Sequence, residues 1–223
     1  MGLPSMLLMA NRTGDTRFKA IALQQYHCTS SGGPNATSQP GLWDPASNLY
    51  WRDHTYIAQR NSDGSKVFWG RGNGWASAAL ALAHRALPPS AAAERSELAT
   101  RLSAMAQALR PLQQADGMWR ANLLFPTMPG VSNPETTSSS FFTFALTYGI
   151  NAGILDAATY LPVVTRAWAA LSTLALHPSG LVGWCQPVGG GPAPATNVST
   201  SDFCVGAFLM AGSQVFLAAS GGM

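Results

Sequence analysis

Two kinds of helix alternate along this chain, and the alternation restricts its fold more than any other feature. Helices predicted over 74–87, 138–151 and 203–218 are rich in small residues and apolar nearly all round. The helix over 91–113 carries one apolar stripe, Leu98, Leu102, Met105, Leu109 and Leu112. Another, over 156–175, carries Tyr160, Val164, Trp168, Leu171 and Leu174, with Asp156 placed to cap it and Pro162 in its first turn. Apolar steps of three and four mark a helix with one face in a core and the other in water. A helix apolar on every side has to be buried on every side.

A repeat runs beneath this alternation. The stretches "DPASNLYWRD" (44–53), "QADGMWRAN" (114–122) and "HPSGLVGWCQ" (177–186) each read as turn residues followed by a short aromatic strand. Their tryptophans, Trp51, Trp119 and Trp184, fall 68 and 65 residues apart. Each is followed by an irregular polar stretch and then a buried helix, opening near Arg71, Glu135 and Asp202. Such a repeat predicts an all-α fold, an (α/α)6 toroid or barrel, with an inner ring of buried helices, an outer ring of striped ones and short β-hairpins at one end. With 3–11 and 15–27 also helical, the chain has about seven helices where a closed six-hairpin ring has twelve. Residues 1–223 therefore read as a single α/α-toroid domain, the C-terminal part of such a ring, with its N-terminal helices lacking.

Charge and motifs narrow the partners. The net charge is +3, but the 13 Lys and Arg are scattered without a basic run, which argues against nucleic acid. No apolar stretch is read as reaching membrane-spanning length, so no membrane partner is expected. The opening "MGLPSMLLMANRTGD" lacks a basic front and a small-residue cleavage site and reads as a helix. Cys28, Cys185 and Cys204 have no metal-ligand spacing, so no metal site is expected. They are buried thiols, or Cys185 and Cys204 form a bridge. Sequons at Asn11, Asn35 and Asn197 matter only in a secreted protein. With no nucleophile elbow, Walker-type loop, paired-cysteine motif or HExxH helix, carboxylate chemistry remains, or none.

If the inner helices run parallel, their N-termini gather at one face, bringing together Arg71, Asn73, Trp75, Glu135, Thr136, Thr137 and Asp202. Helix N-termini and an arginine suit an anion, and indole faces suit a sugar ring. The alternative is that Asn73 and Gly74 cap a helix while Trp69 and Trp75 pack under a loop. In "LYWRDHTY" (49–56), strand alternation sets Trp51 and Asp53 on one side, where the Asp53 carboxyl would rise into the acid–base range. The rival is a surface pair of Asp53 with Arg52 or His54. Glu135 and Asp202 read first as helix-capping or first-turn acids, and His27, His84 and His177 as structural residues without partners.

The ordered set "VFWGRGNGW", "LQQADGMWR", "PETTSSSFFTFALTYGINAGILDAATYLPVVTRAWAAL" and "GAFLMAGSQVF" resembles the unsaturated rhamnogalacturonyl and glucuronyl hydrolases of glycoside hydrolase families 105 and 88. The resemblance implies an (α/α)6 barrel and an oligosaccharide substrate ending in a 4,5-unsaturated uronic acid. It implies protonation of the vinyl ether at C4 and addition of water at C5, by an aspartate and without metal or organic cofactor. By position it assigns Asp53 as that aspartate, Arg71 and Trp75 as uronate contacts, and Trp51 as pocket lining. Asn73, Glu135 and Thr136 join the expected substrate-binding set. The family's second aspartate stands just ahead of a segment resembling "MGLPSMLLMANRTGD", a position before Met1. The stretch "TSSGGPNATSQPG" (29–41) is longer than the resemblance implies. A non-catalytic carbohydrate-binding toroid is the alternative, and another α/α sugar enzyme a third reading. An incomplete ring is also expected to self-associate through its uncovered inner helices.

Overall fold

The computed structural model describes residues 2–33 and 40–221, so Asn35 and the middle of the 29–41 stretch lie outside the described residues. Seven α-helices carry the fold: α1 (Gly2–Thr13), α2 (Thr16–Ser31), α3 (Gly70–Ala86), α4 (Ala92–Leu109), α5 (Thr136–Asn151), α6 (Ala157–Ala170) and α7 (Asp202–Ala219). Helices α1, α3, α5 and α7 stand side by side and parallel. Near their starts Gly74 lies against Phe141, and near their ends His84 Nδ1 meets Tyr148 Oη at 2.8 Å. Asn11 Nδ2 donates to Ala86 O at 2.6 Å, and Asn151 Nδ2 to Gln214 O at 3.3 Å, which sets α1 and α7 on either side of that pair.

Helices α2, α4 and α6 form a second layer behind them. Lys19 pairs with Glu94 and His27 with Glu97, joining α2 to α4. Gln113, just beyond α4, donates to Val163 O at 3.0 Å and accepts from Arg166 at 2.5 Å, joining α4 to α6. This two-layer arc is the α/α-toroid architecture that the alternation implied. Between the layers the predicted stripe of α4 is buried at Leu98, Leu102, Met105 and Leu109, packed with Phe142 and Trp119. Trp119 is wholly buried and its indole N–H donates to Leu109 O at 2.8 Å, so burying this ring leaves no polar atom unpaired.

Several sequence expectations change. Helix α3 begins at Gly70, four residues early, so Arg71 and Asn73 lie in its first turn. Only the first repeat makes a regular hairpin, β1 (Trp43–Asp44) with β2 (Leu49–Tyr50). The second and third contribute single bridges such as Trp69–Asn122 and Leu176–Val182, because their chain ends tie to helix termini in place of a strand partner. After α6 a π-turn over Leu171–Ala175 adds one residue to the winding, which turns Leu174 outward and Ala175 inward. His84 and His27 have the partners just named. Cys185 and Cys204 are joined in a disulfide. Helix α7 is also long and apolar enough by composition to cross a membrane, with 18 residues and mean hydropathy 1.5, contrary to the sequence reading. In this fold it lies along α5 and is fastened by that disulfide.

Glycine permits a close approach between the start of α3 and the segment before α5. A methyl group on Gly70 would sit 2.5 Å from the backbone oxygen of Arg120. Neither the backbone there nor the helix behind it can move away independently. Gly70→Ala is therefore expected to destabilise the fold by about 1–3 kcal/mol, read as a lower midpoint in urea unfolding at unchanged slope.

Candidate functional site

The N-terminal ends of α3, α5 and α7 do converge, and the group that organises them is Glu135. Its side chain is fully buried and caps α5, accepting from Thr137 N at 3.0 Å and Ser138 N at 2.7 Å. The same carboxylate accepts from Gln186 N at 3.2 Å, which draws the segment after Trp184 onto the helix end. Thr136 completes the seam: its backbone N–H donates to Trp184 O at 2.9 Å and its hydroxyl to Gly183 O at 2.7 Å. Glu135 and Thr136, expected among the substrate contacts, are spent on this joint and expose no surface.

Arg71 and Asn73 are likewise structural in their contacts. The Arg71 guanidinium donates to Gln186 O at 2.5 Å and Pro187 O at 2.8 Å. It lies between the Trp69 and Phe203 rings, 4.8 and 4.9 Å from their centroids, and only 3% of the residue is exposed. Burial pushes its pKa down, and Glu135 nearby opposes that. Asn73 reaches back to β2, accepting from Tyr50 N at 2.8 Å and donating to Tyr50 O at 3.0 Å. It so holds the hairpin against α3, a role the alternative reading of a simple cap did not include.

Asp53 is a correction. The chain leaves β2 after Tyr50, so the strand alternation assumed over 49–56 does not exist. Asp53 caps a 3-10 turn, His54–Tyr56, accepting from Thr55 N at 2.8 Å and Thr55 Oγ1 at 2.5 Å, and it pairs with Arg52. The Thr55 hydroxyl first, with Arg52 and the Thr55 N–H, lowers its pKa to about 2 against the opposing effect of burial. This is the opposite of the expected upward shift.

An open cavity nevertheless lies at this end of the molecule. It measures about 530 Å³ between α1, α2 and α3, with Leu3, Met6, Tyr26, Trp51, Arg52 and Trp75 among its walls. Trp51 is fixed by packing on Phe68, ring centroids 4.4 Å apart, with Lys66 Nζ 5.7 Å from its ring. Trp75 stands on α3 against Phe141 at 4.1 Å and also walls a second cavity, about 290 Å³, with Pro4, Leu8 and Met210. Of the expected binding residues, the structure thus brings Trp51 and Trp75 to one cavity, with Arg52 beside them. It sets Arg71, Asn73, Glu135 and Thr136 behind it as framework. Sequence reasoning missed Arg52 as a wall residue and Gln186 as the junction. Gln186 follows Trp184 by two residues, as Asp53 follows Trp51, and that repeat position was its one signal.

The sequence matches the family Glycosyl Hydrolase Family 88 over residues 1–218. It is 38% identical over 180 residues to an unsaturated 3S-rhamnoglycuronyl hydrolase of Formosa agariphila, covering 78% of this chain and 47% of that protein. A protein of the same name from Alteromonas sp. (strain LOR) is 34% identical over 176 residues, 79% of this chain and 42% of its own. Among solved structures, a glycosyl hydrolase family 88 protein from Bacteroides vulgatus superposes with a TM-score of 0.85 at 32% identity, over 96% of this chain and 59% of that one. The chain spans about half the length of the curated relatives it matches.

The capping of Asp53 makes a pH prediction. Its pKa in the fold, about 2, lies below the ordinary value near 4, so its contribution is complete above pH ~4 and disappears as the pH falls toward 2. The thermal midpoint of the native protein is expected to exceed that of Asp53→Asn at pH 6, and the gap to close between pH ~4 and ~2.

Proposed function

The chain belongs to glycosyl hydrolase family 88, and on that premise we propose that it acts on oligosaccharides ending in a 4,5-unsaturated uronic acid. The observation that carries the reading is the cavity of about 530 Å³ walled by Trp51 and Trp75 with Arg52 beside them. Indole faces stack on a sugar ring, more readily on one flattened by a double bond, and a cation suits the uronate carboxylate. Two proteins that it resembles carry the name unsaturated 3S-rhamnoglycuronyl hydrolase, which supports the substrate class. In the proposed reaction a proton adds at C4 of the vinyl ether and water at C5. The resulting hemiketal opens and the partner sugar leaves.

Asp53 is our candidate carboxylate for that reaction, in the form that its surroundings favour. The hydrogen bonds from Thr55 and Arg52 favour its ionised form, which would accept the proton lost by the water added at C5, while the proton added at C4 comes from solvent. The same observation favours one alternative, a carbohydrate-binding toroid that keeps the aromatic cavity without the donor. We infer also that residues 1–223 form one α/α-toroid domain, supported by a main core that draws on all seven helices.

The test is the loss of ultraviolet absorbance from an unsaturated uronyl disaccharide. The native chain is expected to bleach it, and Asp53→Asn to slow the decay by roughly a hundredfold or more, the usual worth of a positioned base. Bleaching unaffected by Asp53→Asn would move the carboxylate role elsewhere, and no bleaching by the folded chain would favour the sugar-binding alternative.

Self-association belongs to the same proposal. Leu209, Phe216 and Leu217 on α7, and Leu8 and Met9 on α1, are exposed by 45% or more of their surface. Apolar residues on the flanking helices of an arc favour contact with a second copy. Sedimentation is expected to give a weight-average mass that rises with concentration; a constant mass of 23.4 kDa would contradict it.

A further inference from the structure

The segment Gln186–Gly191 crosses the end of the molecule as a strap, and its attachments reach the cavity wall. One end is fixed by Arg71, which donates to both Gln186 O and Pro187 O. The Gln186 side chain is a second tie, accepting from Trp69 Nε1 at 3.0 Å and donating to Gly191 O at 2.7 Å, which folds the segment back on itself. The far end is held by Tyr56, whose hydroxyl donates to Gly190 O at 2.9 Å. Cys185, next to the strap, is bonded to Cys204 in α7.

Of the three consecutive glycines, Gly190 and Gly191 have close neighbours. A methyl group on Gly190 would sit 3.3 Å from Arg52 Nη2, and one on Gly191 would overlap Tyr56 Oη. The strap backbone therefore lies directly on Arg52 and Tyr56, and Arg52 is a wall of the cavity beside Trp51. Neither glycine has a positive φ, so it is the close approach and not backbone conformation that excludes a side chain.

We propose that this glycine strap is a specificity-determining wall: by seating Arg52 and Tyr56 it sets the width of the exit through which the saccharide leaves the cavity. The proposal rests on the hydrolase reading above. A disaccharide fits inside a cavity of this size, whereas a longer saccharide has to pass the strap. Arg71, on this account, is a positioning residue that acts through the strap, and the substrate meets Arg52.

The experiment compares the full chain, Gly191→Ala and the double variant Gly191→Ala with Tyr56→Phe on an unsaturated uronyl disaccharide and the matching tetrasaccharide. Gly191→Ala is expected to raise KM for the tetrasaccharide by roughly fivefold more than KM for the disaccharide, which also meets Arg52. Tyr56→Phe deletes the one atom that the new methyl overlaps but also the tie to Gly190 O, so the double variant is expected to recover only part of the loss. A Gly191→Ala variant that changes both substrates alike, or neither, overturns the proposal. If the native chain turns over neither substrate, the hydrolase reading has failed. The strap is then judged by tryptophan-fluorescence titration with the same tetrasaccharide, where equal affinity of native and Gly191→Ala chains overturns it.

Discussion

The buried carboxylate of Glu135 is the contact on which this end of the molecule depends. Putting a carboxylate out of reach of water is costly unless every lone pair finds a donor. Here three backbone N–H groups meet it: Thr137 and Ser138 from its own helix, and Gln186 from a segment 51 residues away. The first two satisfy donors that any helix start leaves open and lie at the positive end of the α5 dipole. The third turns a local cap into a tertiary joint. Because Gln186 is held there, its carbonyl and that of Pro187 stand where Arg71 can reach them, and its side chain stands where Trp69 can reach it.

From that joint the rest follows in order. Arg71 lies against Trp69 on one side and Phe203 on the other, so α3 and α7 are connected through a cation that has no remaining surface for a ligand. Asn73, in the same first turn, fastens the β2 backbone to α3. The hairpin then delivers Trp51 onto Phe68 and turns Arg52 toward the cavity. A chain with only 10% charged residues uses several of its few charges at this end to hold loops to helix termini. The apolar and aromatic faces are left to line the space between the helices.

The layers of this fold were legible because they follow from spacing alone. The α4 stripe at Leu98, Leu102, Met105 and Leu109 faces the core as its steps of three and four require, and the all-round apolar sequence of α5 is buried along almost its whole length. Convergence of Arg71 and Glu135 followed from the parallel inner helices. What spacing does not carry is which partner a polar side chain chooses. Arg71 looked like an anion anchor because nothing near it in sequence could occupy it; its acceptors are 115 residues away. Asp53 looked like an acid on a strand because "LYWRDHTY" alternates, but Thr55 offers its carboxylate two donors at once and the chain folds into a turn around them. The disulfide was one of two open possibilities for the same reason, since only the fold brings Cys185 to the first turns of α7.

Proton donation and ligand seating make opposite demands on a carboxyl group, and the acids near the proposed cavity meet the second. A donor to a vinyl ether needs a carboxyl starved of hydrogen-bond donors in an apolar setting, so that it keeps its proton near neutrality. Asp44, Asp53 and Asp63 are instead held below their ordinary range, each by hydrogen bonds to its charged form. Glu135, the most buried, has three donors and a structural task. The helix N-termini that gather here add positive potential, which favours ionised acids still further and draws an anionic sugar inward. On the proposed reading, the same field that would suit the cavity to a uronate works against placing a proton donor among these acids. In the reading proposed above, binding and donation are separable, with Trp51, Trp75, Arg52 and the strap assigned to binding.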